Sequence, residues 1–146
     1  MNELNGSDAS DIDMQRVWRM VVADDLTLNA DSLSDVLRLM GHEVFTAYDG
    51  PSAIAAHTAF MPDAYLLDLG MPVMDGFDTC RAIRRLPGGD AVAIVALSGW
   101  GRQEDLAHAL EAGFSGFLLK PAQPRDIIRS LSGSWSRKLP PNRHQP

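Results

Sequence analysis

Asp68 closes an apolar run, Ala64-Tyr65-Leu66-Leu67, and opens the turn Leu69-Gly70-Met71-Pro72. A carboxylate placed where a buried strand breaks into a loop is positioned for chemistry rather than for solubility. Three further features stand at the ends of other apolar runs. The acidic pair Asp24-Asp25 follows Val17 to Ala23, the hydroxyl of Ser98 follows Ala91 to Leu97, and Lys120-Pro121 follows Phe117-Leu118-Leu119. Carboxylates suit a hard, oxygen-seeking cation. An aspartate is also a competent nucleophile, a lysine a counter-charge and a hydroxyl a hydrogen-bond donor to an anionic group. All four features fall at carboxyl ends of predicted strands, where open α/β sheets bind ligands.

Positioning them requires strands that alternate with helices, and the apolar periodicity supplies both. Strands are predicted at 17–23, 43–47, 63–68, 91–97 and 115–119, and helices at 26–40, 51–60, 74–85, 102–112 and 123–132. Ala30, Leu33, Leu37 and Met40 form the inward stripe of the first helix, which Gly41 stops. Pro62 ends the second helix, Phe77, Cys80 and Ile83 face inward on the third, and Pro87-Gly88-Gly89 breaks the chain after it. Strict alternation argues a parallel sheet covered on both faces, and the unbroken apolar strands agree. Residues 1–15, polar and mostly acidic, read as a disordered lead, and 133–146 as a flexible tail too short for a further domain.

Bulk properties set limits. The 146 residues suit one domain. A net charge of -6 argues against a nucleic-acid grip by the surface as a whole. The single Cys80 fits a reducing compartment, no apolar stretch reaches membrane-span length, and the polar start is unlike a signal peptide. A cytoplasmic location is expected. His42, His57, His108 and His144 show no ligand spacing with Cys80, which argues against zinc.

The four segments together resemble the receiver domain of bacterial two-component response regulators. Asp24-Asp25 is similar to the family's acidic pair, and Leu66-Leu67-Asp68-Leu69-Gly70-Met71-Pro72-Val73-Met74-Asp75-Gly76 to its phosphoacceptor segment. Ala96-Leu97-Ser98-Gly99 is similar to the switch hydroxyl and Leu118-Leu119-Lys120-Pro121 to the lysine motif. The likeness runs from about residue 16 to 132. It implies a doubly wound, flavodoxin-like (βα)5 fold with strand order 2-1-3-4-5, which makes the first and third strands neighbours and gathers Asp24, Asp25 and Asp68.

Three gathered carboxylates repel one another, so either one takes a proton or a cation sits among them. The resemblance implies Mg²⁺, with Mn²⁺ as a substitute, held by Asp25, Asp68 and the Gly70 carbonyl, with Asp24 acting through a bound water. Asp68 is then the phosphoacceptor. Lys120, one of only two lysines against eleven arginines, is the counter-charge to the phosphoryl group, with a cis bond to Pro121 aiming it inward. Ser98 would bind a phosphoryl oxygen, and Phe117 would rotate with it to change the face made by helix 102–112, strand 115–119 and helix 123–132. The implied partners are a histidine kinase or histidine phosphotransfer domain and a downstream target protein, with neither nucleic acid nor membrane. Such a protein is a signalling phosphoacceptor rather than an enzyme acting on other substrates.

Two other functions compete. A Mg²⁺-dependent phosphatase of the haloacid-dehalogenase type would use Asp68 as nucleophile but needs an acid two residues on, where Gly70 stands. A receiver-like scaffold that is never phosphorylated conflicts with the complete residue set. Asp24 or Asp25 also reads as a cap for the following helix, and Phe117 as ordinary core. Three positions depart from the family pattern. Gly70 is smaller and Trp100 bulkier than usual beside the path of hydrolytic water, so both are expected to modulate access to the site. Leu26 is apolar where a polar residue is common, on the surface expected to dock the phosphodonor. The segments around Ser98 and around Ala109 to Phe114 look most like receivers of hybrid sensor kinases.

Overall fold

The computed structural model describes residues 16–99, 101 and 103–132. In chain order the elements are β1 (Arg19–Ala23), α1 (Thr27–Leu39), β2 (Glu43–Ala47), α2 (Gly50–Phe60), β3 (Ala64–Asp68), α3 (Gly76–Arg84), β4 (Ala93–Ser98), α4 (Gln103–Ala112), β5 (Gly116–Leu119) and α5 (Pro124–Leu131). All strand pairs are parallel and the sheet order is β2-β1-β3-β4-β5. The doubly wound α/β architecture and its strand order are those expected. The polar lead, the tail and Trp100 lie outside the described residues.

Burial follows position in the sheet. β3, at the centre, is buried at every residue, whereas β2 at one edge alternates in exposure. Side chains alternate between two cores. Val21, Tyr65, Leu67, Ile94 and Ala96 meet Ala53 and Ala56 of α2, Cys80 and Ile83 of α3 and Ala109 of α4. On the other face Met20, Val22, Leu66, Val95 and Leu97 meet Leu37 of α1 and Ile127, Ile128 and Leu131 of α5.

Local chemistry sets the helix ends. Asp49 caps α2 by accepting from the Ser52 N–H at 2.8 Å, and Asp75 caps α3 by accepting from Asp78 N–H at 2.9 Å. That second cap explains why α3 starts at Gly76 rather than at 74. Gly41, with φ of +100°, takes the left-handed position after α1, and Gly113, with φ of +108°, does so after α4. Two expectations fail. The apolar run into β5 does not mark a strand buried on both faces, because β5 is at the sheet edge, with Phe117 and Leu118 half-buried and Leu119 53% exposed. Met40 is the C-cap of α1 and is 40% exposed, because the chain leaves the helix there, and Ser34 takes an inward place instead, accepting from Thr46 Oγ1 at 2.7 Å.

Candidate functional site

Register alone brings the reactive groups to one edge. Ala23 pairs with Leu67, so Asp24 emerges beside Asp68; Asp68 pairs with Leu97, so Ser98 stands one step beyond; Ser98 pairs with Leu119, so Lys120 follows. Backbone bonds hold these ends in place: Asp24 N–H donates to Ala47 O at 3.1 Å, Leu69 N–H to Leu97 O at 3.1 Å and Lys120 N–H to Ser98 O at 2.8 Å. Gly76 completes the support. Its N–H donates to Leu69 O at 3.2 Å, and a Cβ there would lie 2.7 Å from Asp68 O, so only glycine lets α3 approach the Asp68 turn this closely.

Oxygens of Asp24, Asp25 and Asp68 all lie within 4.8 Å of one another. Asp24 and Asp68 are buried, at 5% and 8% exposure. Lys120 Nζ bridges them, donating to Asp24 Oδ2 at 3.0 Å and to Asp68 Oδ1 at 3.1 Å. The remaining Asp24 oxygen, Oδ1, accepts from Leu26 N–H at 3.0 Å, a turn bond that leads the chain into α1. Asp68 Oδ1 also accepts a long bond from Gly70 N–H at 3.4 Å.

The electrostatics are opposed by design of the site. Burial pushes the Asp68 carboxyl up, the Lys120 hydrogen bond pulls it down, and the Asp24 charge pushes it up again, for a net rise. Burial works to lower Lys120, yet its bonds to Asp24 and Asp68 outweigh it and the group is raised, firmly an ammonium. Three gathered carboxylates, only two of them bonded to an ammonium, make a cation-seeking donor set. Two oxygens on opposite sides of one Mg²⁺ stand about 4.2 Å apart, so the 4.8 Å spread needs only small side-chain rotations to close on one ion. Lys120 occupies that role here with a weaker, single charge.

Ser98 is 3% exposed and lines a cavity of about 200 Å³ with Asp68, Leu69, Gly70, Phe77, Gly99 and Asp105. Gly70 is exposed and a Cβ on it would touch nothing within 4 Å. Phe117 is half-buried, packed against the core under α2, α3 and α4, at a position paired with Ala96. The Lys120–Pro121 bond is cis. Leu26 is the N-cap of α1 with no capping side chain and is 57% exposed. It does not line the groove of about 530 Å³ between α1 and α5, whose wall includes Leu33, Val36, Pro121 and Ile127 and reaches Asp24 and Lys120.

Asp105 was not found by sequence reasoning. An acid in the first turn of a helix reads as a complement to the helix dipole, and only the packing of α4 shows that it borders the Asp68 cavity. Val73 lies in the loop after Asp68. It holds φ of +68° while fully exposed, a costly conformation for a β-branched residue.

Comparisons with known proteins agree with this geometry. The profile of the response regulator receiver domain matches residues 20–132. The response regulator PleD of Caulobacter vibrioides is 39% identical over 103 residues, 70% of this chain but 23% of that protein, so the chain spans about a quarter of its relative. Among solved structures, the chemotaxis protein CheY4 of Vibrio cholerae is 28% identical with a TM-score of 0.75, covering 80% of this chain and 98% of that one. The receiver domain of the sensor histidine kinase PA1611 of Pseudomonas aeruginosa, solved with a magnesium ion in its active site cleft, is 29% identical with a TM-score of 0.72, covering 83% of this chain and 99% of that one.

Proposed function

Because the chain belongs to the response regulator receiver domain family, we propose that it is a phosphorylation-operated switch in which Asp68 accepts a phosphoryl group from a phosphohistidine. The observation that carries this reading is the bridge from Lys120 to both Asp24 and Asp68. A buried acid pair held by a movable cation, with a hydroxyl on the adjoining strand end, is built to exchange partners when an anionic group arrives.

In this reading a divalent cation, Mg²⁺ or Mn²⁺, would be held by Asp25, Asp68 and the Gly70 carbonyl, with Asp24 supporting it indirectly, and would offset the charge of the carboxylates and of the incoming phosphoryl group. The magnesium seen in the PA1611 receiver supports that assignment. A carboxylate oxygen of Asp68 forms the new bond to phosphorus while the phosphorus–nitrogen bond of the donor breaks. The imidazole leaves with the bonding pair and takes up a proton. Lys120 moves its contact from Asp68 to a phosphoryl oxygen, and Ser98 donates to another. The protein contributes mostly position and charge, as phosphoryl transfer requires.

Readout follows from where the two groups sit. Ser98 ends β4 and Lys120 follows β5, so drawing both toward one phosphoryl group pulls on the β4–α4 and β5–α5 connections. Phe117, on β5 and facing α4, is the side chain that would re-pack, changing the α4–β5–α5 face offered to a target protein. The apolar α1–α5 groove, next to Asp24 and Lys120, together with exposed Leu26 at the start of α1, is the surface proposed to dock a histidine kinase or histidine phosphotransfer domain. Gly70 and Trp100 remain proposed modulators of water access.

Intact mass after incubation with acetyl phosphate tests the reading, with and without Mg²⁺, on the wild type and on Asp68→Ala. One phosphoryl adduct that requires both Mg²⁺ and Asp68 is expected. If neither acetyl phosphate nor a phosphohistidine domain adds a phosphoryl group, a binding scaffold is the better description. Continuous phosphate release on an unrelated monoester would instead indicate a phosphatase.

A further inference from the structure

Among the described residues, two carboxylates line the cavity of about 200 Å³ at the β3 and β4 ends: Asp68 and Asp105. Leu69, Gly70, Phe77, Ser98 and Gly99 form the rest of its wall. A Cβ at Gly70 or at Gly99 would meet nothing within 4 Å, so these positions leave open space next to Asp68 where side chains would narrow it. Polar chemistry on this wall therefore falls to Ser98 and Asp105. Glu104, its neighbour in the first turn of α4, is exposed and does not line the cavity, whereas Asp105 is half-buried at its wall.

We propose that Asp105 orients the water that hydrolyses the phosphoryl group carried by Asp68, and so sets how long the switch stays on. The proposal rests on the reading of Asp68 as phosphoacceptor. A phosphoryl group on Asp68 extends into this cavity, and water enters from the open side left by Gly70 and Gly99. The Asp105 carboxylate accepts a hydrogen bond from that water and turns an oxygen lone pair toward phosphorus. The water oxygen–phosphorus bond forms as the bond from phosphorus to the Asp68 oxygen breaks. Asp68 leaves with the electron pair as a carboxylate, and both protons of the water depart with the phosphate, so aspartyl phosphate and water become aspartate and dihydrogen phosphate. Asp105 holds the water without any net change in its own charge.

The test follows decay of the Asp68 adduct by intact mass after removal of excess acetyl phosphate, at fixed Mg²⁺, for wild type, Asp105→Asn and Glu104→Gln. Both variants remove one negative charge from the same helical turn, but only one faces the cavity. Asp105→Asn should lengthen the half-life at least about 10-fold, below the 10²–10⁴ typical of a full general base, and Glu104→Gln should leave it unchanged. Melting temperatures of the three proteins confirm that each is folded. Equal lengthening by both variants would assign the effect to helix charge and overturn the proposal. Faster adduct formation by Asp105→Asn with an unaltered half-life would make Asp105 a mere repulsive charge, and likewise overturn it. Both results leave the phosphoacceptor reading intact. Absence of a wild-type adduct from acetyl phosphate and from a phosphohistidine domain would remove that reading and this one together.

Discussion

The two ends of the sheet treat polar groups in opposite ways. At the amino-terminal end, the residue before each of the five strands either bonds the backbone with its side chain or has its own backbone bonded by a side chain. Asp63 Oδ1 accepts from Arg19 N–H at 3.0 Å, His42 Nδ1 accepts from Trp18 N–H at 3.0 Å, and Ser115 Oγ accepts from Ile94 N–H at 2.8 Å. The Val92 carbonyl receives Arg84, whose guanidinium also reaches the carbonyls of Gly113 and Gly89, at 2.6, 2.8 and 2.7 Å respectively. At the carboxyl-terminal end, polar groups face one another instead. Asp24, Asp25 and Asp68 crowd together, and Lys120 is ion-paired with two of them, Asp24 and Asp68. The first arrangement satisfies buried groups and adds stability. The second leaves like charges together and gives up stability for a site that can accept a ligand.

Substitutions at the two ends should therefore move stability in opposite directions. The largest effect is expected from Arg84→Ala, which orphans three carbonyls at once and should cost about 3 kcal/mol at roughly 1 kcal/mol each. Chemical denaturation would read this as a lower midpoint with an unchanged slope. Arg84→Lys should not rescue it, since one ammonium cannot span the three acceptors. A neutral outcome would remove the amino-terminal end from the comparison.

Asp68→Asn should act the other way. The Asp68 carboxyl is raised in the fold, so the folded state holds its proton more tightly than the unfolded chain. Its contribution is therefore favourable below the unfolded pKa and is lost as pH rises through the folded one. At neutral pH the ionised group costs stability, and the amide should gain about 1 kcal/mol, a few degrees in Tm, while abolishing phosphorylation. A lower Tm would show that the Lys120 bond to Asp68 outweighs burial and repulsion.

Val73→Gly should also stabilise, by about 1 kcal/mol, because glycine tolerates the +68° φ that the isopropyl side chain resists. Urea titration of the variant against wild type would measure it, and a loss of stability would mean the loop gains more from valine's restricted unfolded chain.

The smallest effect belongs to His42. Burial lowers its pKa, with Asp63 opposing, so the folded state binds fewer protons than the unfolded chain. Stability is complete above the ordinary value of about 6.5 and declines as pH falls from there toward the lower folded value. His42→Gln should flatten the dependence of Tm on pH between neutrality and mild acid. An unchanged slope would show that other groups carry the acid response.

Much of this contrast was legible from residue order. Apolar runs ending in Asp24, Asp68, Ser98 and Lys120 marked the strands and the ends that gather these groups, because strands buried on both faces, as β3 is, are continuously apolar and a parallel sheet presents all its carboxyl ends on one side. Met40 and Asp105 were not legible, for the same reason. Helical periodicity describes which residues share a face, but a cap residue leaves the helical path, and no periodicity says what a face will meet.

By itself, then, the chain's order of residues determined five βα units, the two faces of its sheet and the identity of the groups at its reactive edge. Those depend on local hydrophobic pattern and on turn chemistry, which act over a few residues. Tertiary structure decided which strand ends became neighbours, that one ammonium would span Asp24 and Asp68 across 96 and 52 residues of chain, and that Asp105 would share a cavity with Asp68. Distances between side chains on different elements are set by packing two helical layers onto a twisted sheet, and no local pattern encodes them.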